Sequence, residues 1–220
     1  MQAGDDEVIK RMKRRYTLRY YRDLIRRIRE TIPDVTLATD IIVGFPGETH
    51  DQFMHTMDLL EEIRFDKVHV AAYSPRPGTV AAQWEDDVPH DEKMVRLHAV
   101  EKLQEHIGRE MNGKHGGTEM EVLVEGVERG RWTGRTRGNK IVFFSADDLR
   151  ADRTGQMVLV RVEEAGPWSM QGTLVRVLQE APDALKALLG ARSRHLVLPL
   201  TSVPAVMPQR STAAPPVAGN

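Results

Sequence analysis

Apolar residues recur at intervals of three and four through residues 1–112 and at intervals of two from Glu119 onward, and this change of period divides the chain. Val8, Ile9 and Met12 predict a first helix behind Asp5-Asp6-Glu7, an acidic start that complements the helix dipole. Tyr20, Tyr21, Leu24, Ile25 and Ile28 predict a second over residues 17–31, with Arg19, Arg22, Arg26 and Arg29 on its remaining surface. Pro33-Asp34 ends it, and residues 35–43 read as a strand. Within that strand Ile41-Ile42-Val43 is a short continuous apolar run, as expected where a parallel sheet is covered on both faces. Gly44 and Gly47 predict a sharp turn. Thr49 and Gln52 have capping-box spacing for a helix over residues 50–64, and Phe53, Met57, Leu60 and Ile63 form its apolar side. Residues 67–73 alternate toward a second buried strand, and Pro75, Pro77 and Gly78 mark a loop at its end. Strand, helix, strand at this spacing predicts a right-handed crossover with parallel strands. Pro89 precedes a long helix over residues 90–111 whose apolar side is Met94, Leu97, Val100, Leu103, Ile107 and Met111. Gly113 and Gly116-Gly117 break it, which puts the domain boundary there: residues 1–112, then residues 113–180.

Beyond the boundary, short runs at residues 121–125, 131–137, 140–144, 156–162 and 169–178 predict a small closed antiparallel barrel of OB-like type. Alternation sets Arg131, Thr133, Arg135 and Arg137 on one face and turns Trp132 and Gly134 to the other, so Trp132 reads as core. A short helix is expected over residues 183–189. The remainder of residues 181–220 is rich in Pro, Ala, Ser and Thr and reads as largely disordered.

Composition sharpens the picture in two places. The net charge of −1 excludes a global field toward nucleic acid, so any such binding rests on local patches. Residues 1–30 carry ten Lys/Arg against five Asp/Glu, and residues 129–146 carry five basic residues and no acidic one. There are no cysteines, which excludes disulfides and thiolate metal sites. The eight histidines are scattered without His-Glu-x-x-His spacing, and no Gly-Lys-Ser or Gly-Lys-Thr follows the glycines, so neither a zinc site nor a phosphate loop is assigned. With no run of eighteen apolar residues and no signal-peptide pattern, the chain reads as cytoplasmic and without a membrane partner.

Thr39-Asp-Ile-Ile-Val-Gly-Phe-Pro-Gly-Glu-Thr49 followed by Tyr73-Ser-Pro-Arg-Pro-Gly-Thr79 resembles the last strands of the radical S-adenosylmethionine (SAM) barrel of tRNA methylthiotransferases. Glu121-Val-Leu-Val-Glu-Gly126, Thr133-Gly-Arg-Thr-Arg-Gly-Asn-Lys140 and Glu164-Ala-Gly-Pro-Trp-Ser169 resemble a TRAM domain, an RNA-binding barrel fused to tRNA-modifying enzymes. The resemblance implies an α/β architecture: a partial parallel β/α, TIM-like barrel followed by the OB-like barrel. It implies addition of a methylthio group to an N6-modified adenosine next to the anticodon, with tRNA as partner and S-adenosylmethionine and 4Fe-4S clusters as cofactors. In a parallel β/α barrel, ligands lie at the C-terminal strand ends, here the loops of residues 44–48 and 74–79. By family likeness Ile42, Val43 and Gly44 pack on the adenine, Tyr73 closes the other side, Gln2 and Gly4 lie near the ribose, and Arg14 lies near the carboxylate. Arg129, Arg131, Arg135, Arg137, Asn139 and Lys140 are the RNA-binding candidates, with the arginine-rich helix of residues 11–29 next in line. No catalytic residue and no metal ligand is assigned. The family's Cys-x-x-x-Cys-x-x-Cys motif is absent, so this chain cannot hold the cluster alone. It looks like the C-terminal half of the enzyme: a truncated gene product, a misplaced start, or one half of a split enzyme whose N-terminal half is a separate partner chain. The rival reading is a stand-alone RNA-binding adaptor without catalysis.

Overall fold

The computed structural model describes residues 1–146 and 152–184. Helix α1 (Asp6–Arg11) starts where the Asp5 carboxylate accepts the amides of Glu7 and Val8, at 3.0 and 3.2 Å. Helix α2 (Leu18–Thr31) starts at Thr17, whose hydroxyl accepts the Tyr20 amide. Strand β1 (Ala38–Val43) begins three residues later than its pattern suggested, because the Leu37 amide is taken by the Asp66 carboxylate at 2.9 Å. Helix α3 (His50–Ile63) carries the full capping box: Thr49 accepts the Gln52 amide and Gln52 accepts the Thr49 amide. It leads to β2 (Lys67–Ala72), which runs parallel to β1 in register from Ala38 opposite Lys67 to Val43 opposite Ala72. On the other edge of β1 the Ile42 amide donates to the Gln2 carbonyl at 2.9 Å. Among the described residues β1 is the only strand paired with β2. Ile41, Val43, Phe53, Leu59, Leu60, Ile63 and Phe65 form the core between sheet and helices.

Helix α4 (His90–Gly113) departs from its predicted packing. Its buried face is Lys93, Arg96, Val100, Gln104, Ile107, Gly108 and Asn112, while Met94, Leu97, Leu103 and Met111 are only half-buried. The polar members are held because each meets a specific partner. Arg96 pairs with the buried Glu48 carboxylate at 2.9 Å, and Gln104 donates to the Phe65 and Asp66 carbonyls at 3.1 and 3.3 Å.

Strands β3 (Glu119–Glu128), β4 (Arg131–Thr136), β5 (Ile141–Ser145), β6 (Met157–Ala165) and β7 (Ser169–Gln179) close into a barrel of order β3-β4-β5-β7-β6. The expected all-antiparallel arrangement is corrected at one pair, since β5 and β7 run parallel. A closed ring with an odd number of strands cannot alternate direction all the way round. A two-residue turn at Arg129-Gly130, both at positive φ (51° and 76°), joins β3 to β4 and suits the twist of a tight hairpin. The apolar core of the barrel is Val122, Val124, Trp132, Val142, Phe144, Val158, Val160, Val162 and Met170.

Residues 1–182 form one compact unit. The barrel is fastened to the first segment by polar contacts. Asn112 donates to the Gly166 and Pro167 carbonyls at 2.9 and 3.2 Å, and the Lys140 ammonium reaches Asp66 and Asn112, both at 2.9 Å. The expected disordered stretch from residue 195, and most of the helix expected before it, lie outside the described residues. Among the described residues no helix is long and apolar enough to cross a membrane.

Candidate functional site

The C-terminal ends of β1 and β2 open into a cleft of about 460 Å³, within the roughly 300–1,000 Å³ usual for small-molecule sites. Ile42, Ala71, Ala72 and Tyr73 supply its strand-end wall. Phe45 meets Tyr73 edge-on at 5.1 Å and Trp84 at 5.9 Å, which gives the cleft an aromatic side. Its charged lining is cationic throughout: Arg11, Lys13, Arg14 and Arg76. The Arg11 guanidinium is fixed by the Gly47 carbonyl at 2.8 Å and by Gln52 at 3.0 Å. The Tyr73 hydroxyl is buried and has no hydrogen-bond partner among the described residues, and burial followed by the nearby Asp86 carboxylate pushes its pKa above the ordinary tyrosine range.

The turn below this cleft is built on a buried ion pair. Gly44 sits at φ +68°, and its amide donates to Glu48 at 2.6 Å. Burial pushes the Glu48 carboxyl up, against the pull of the Gly44 amide and Arg96. A Cβ at Gly44 would stand 2.3 Å from the Lys93 stem. That lysine is buried, pairs with Asp86, donates to the Tyr73 carbonyl at 3.4 Å and lies 5.3 Å from the Tyr73 ring centre.

Of the sequence-derived cofactor candidates, Ile42, Tyr73 and Arg14 line the cleft together. Val43 is buried and Gly44 is turned onto Glu48, so neither lines it. Gln2 lies in a neighbouring groove that shares Lys13 and Arg14 with the cleft, and its side chain accepts from the Tyr16 hydroxyl at 3.0 Å. Gly4 donates to the Thr56 hydroxyl at 2.8 Å, with the Thr56 backbone too close for any side chain. Phe45, Arg11, Arg76 and Trp84 were not singled out. Phe45 and Arg76 stand within the two motifs and were open to discovery there, whereas Trp84 carries no local signal.

The RNA candidates divide into engaged and open groups. Arg129 is 87% exposed at the hairpin tip, with Glu128 3.9 Å away, and Arg137 and Asn139 are exposed on the β4–β5 turn. Arg131 donates to Gln171 and lies 5.3 Å from the Phe143 ring centre. Arg135 is paired with Glu125 at 3.1 Å and with Asn139 at 3.0 Å. The run that lacks acids in sequence is therefore supplied with a counter-charge from the adjacent strand. Lys140, 16% exposed, is committed to Asp66 and Asn112 and is not free to meet a phosphate. Trp132 is core, as alternation required.

Residues 1–60 match the radical SAM superfamily and residues 114–175 match the TRAM domain. The chain is 54% identical over 180 residues to a tRNA-2-methylthio-N(6)-dimethylallyladenosine synthase from Roseiflexus sp. (strain RS-1), covering 80% of this chain and 37% of that protein. Likewise it is 53% identical over 179 residues to the synthase of that name from Herpetosiphon aurantiacus, 80% of this chain and 40% of the relative. A third, from Acetivibrio thermocellus, is 46% identical over 178 residues, 80% of this chain and 36% of the relative. The chain thus spans well under half the length of these curated relatives, and resembles them over four-fifths of its own.

Proposed function

We propose that this chain, radical SAM superfamily sequence joined to a TRAM domain, is the C-terminal portion of a tRNA methylthiotransferase. In this reading residues 1–112 are the end of a TIM-like β/α barrel and residues 113–180 an OB-like RNA-binding barrel, working in the cytoplasm on tRNA. The observation that carries it is the presence, in one compact unit, of a cationic and aromatic strand-end cleft and a closed barrel with arginines on its outer face. OB-type barrels take oligonucleotides on the face of their second and third strands, here β4 and β5. Arg131, Arg135 and Arg137 stand on that side, with Arg129 at its end.

The cleft fits the adenosyl and methionyl ends of S-adenosylmethionine. Ile42, Phe45 and Tyr73 offer apolar and aromatic contact for a purine, the unpartnered Tyr73 hydroxyl offers a hydrogen bond, and Arg14 with Arg76 offers charge for a carboxylate. When bound, S-adenosylmethionine supplies a methyl group and a reducible sulfonium. Lys93 and the Glu48–Arg96 pair hold Tyr73 and the Gly44 turn in place for that contact. A 4Fe-4S cluster does not fit this chain, which offers no thiolate, and among the described residues no group of three His, Asp or Glu could hold a metal. Catalysis therefore needs thiolates from another polypeptide segment, and the N-terminal half is the expected partner. Zero cysteines also favours a second reading, an RNA-binding adaptor without catalysis.

Two measurements test this. Anaerobic incubation with iron and sulfide should leave the chain without stoichiometric cluster absorbance, and equilibrium dialysis should detect weak binding of S-adenosylmethionine; no binding at all favours the adaptor. The Arg135→Ala/Arg137→Ala variant should bind tRNA more weakly, with a log affinity against log salt slope smaller by about 0.7–0.9 per lost phosphate contact. Unchanged affinity and slope would remove the RNA site from the barrel.

A further inference from the structure

The cleft is continuous with a second groove that the proposed cofactor does not explain. Its walls are Met1, Gln2, Lys13, Arg14, Arg15, Tyr16, Tyr20, Tyr21 and Leu24, with no carboxylate among them. Lys13 and Arg14 belong to both concavities. Lys13 adopts φ +57°, closing α1 with a left-handed turn that sends Arg14 and Arg15 out into solvent before α2 begins.

Lys13, Arg14, Arg15 and Arg19 are exposed cations on this surface. Further along α2, Arg22 is paired with Glu62, and Arg26 with Asp23 and Glu30. By contrast, among the described residues no ion pair engages Lys13, Arg14, Arg15 or Arg19. Arg19 stands exposed in the first turn of α2, whose Leu18 amide donates to the Asp6 carboxylate at 2.7 Å. Tyr20 is 59% exposed beside these cations, whereas Tyr16 and Tyr21 pack on each other at 5.8 Å. On the barrel, Arg135 and Lys140 are ion-paired and Arg131 is bonded to Gln171, which leaves Arg137 as the comparable exposed cation.

We infer that the α1–α2 surface, Lys13, Arg15 and Arg19 with Tyr20, is a second contact for single-stranded RNA, guiding it to the mouth of the cleft. Lys13 and Arg15 along the groove, with Arg19 beside its rim next to Tyr20, suit a phosphodiester backbone, and the open tyrosine ring suits a stacked base. An acidic peptide would satisfy the cations but leave the exposed ring without its partner. The inference rests on the reading above for RNA as the polymer, and otherwise stands on this surface's own charge and geometry.

The test uses the full chain and an unstructured RNA oligonucleotide, measured by fluorescence anisotropy across a salt series. Arg14 is left unaltered because it also lines the cleft. The Arg15→Ala/Arg19→Ala variant should lower the magnitude of the log–log salt slope by about 1.4, the counterion release of two single-strand phosphates. Tyr20→Ala should weaken binding about 5-fold or more with the slope unchanged, and Tyr20→Phe should restore it, since the ring face is what a base stacks on. Circular dichroism melts check that each exposed substitution leaves the fold intact. If both α2 variants bind as the parent does while Arg135→Ala/Arg137→Ala loses affinity, this inference fails and the barrel reading survives. If all variants bind as the parent does, both fail. If a polyglutamate peptide displaces the RNA as well as an RNA competitor of equal charge does, the surface is a general polyanion or acidic-peptide dock and the inference is overturned.

Discussion

The two halves of the compact unit solve burial in opposite ways. The barrel pairs every strand on both sides and packs a continuous apolar core inside, so its strand edges are satisfied from within. The strand–helix segment has two paired strands, leaves β2 with one strand partner among the described residues, and holds α4 through Lys93, Arg96 and Gln104 beside the apolar Val100. A closed sheet needs no neighbour, whereas an open one joined by specific polar contacts is only as stable as each of those contacts. The segment with the cleft is therefore the one that depends on its surroundings, and the barrel is the anchor.

The strongest way to break this contrast is at the buried ion pair. Arg96→Ala should cost about 3–5 kcal/mol in urea unfolding because Glu48 is left buried and uncompensated. The double change Glu48→Met/Arg96→Met should recover most of that loss, since an apolar pair of similar volume removes the desolvation penalty. A smaller effect is expected where the halves meet. Lys140→Met should cost about 3 kcal/mol, the low end for removing one partner of a largely buried pair, by leaving the Asp66 and Asn112 Oδ1 atoms without the ammonium. Thr49→Ala, which removes one arm of the α3 capping box, should cost about 1 kcal/mol, read as a shift in the urea midpoint without a change in slope. The smallest effect concerns pH. Burial, then the Lys140 charge, depresses the His115 pKa. The unfolded chain thus takes up a proton near pH 6.5 that the folded chain refuses, so stability should fall as pH drops from about 7 through that value. His115→Phe should flatten this part of the stability–pH curve.

Much of the architecture was legible because it is periodic. The capping box at Thr49, the parallel β1–β2 pair and the five barrel strands all follow from spacing, and Trp132 was assigned to the core by alternation alone. What spacing could not reveal depends on partners distant in sequence. Reading α4 by its apolar residues selected Met94 and Leu97, yet the sheet receives Lys93 and Arg96, because Asp86 and Glu48 wait for them. The same limit applied at the barrel surface. Lys140 looked like one more cation in a basic run until its contacts with Asp66, 74 positions away, and Asn112 were seen. Of the cleft, the two motifs led to Ile42 and Tyr73, while Trp84 enters through tertiary packing onto Phe45.

Native-state hydrogen exchange on the full chain tests the contrast most directly. Barrel amides such as Val122, Val142, Val158 and Val160 should exchange last, through global unfolding only, while Val68 and Val70 on the singly paired β2 should exchange earlier through local opening. Equal protection in β2 and in the barrel strands would contradict the division into a self-sufficient barrel and a dependent cleft segment.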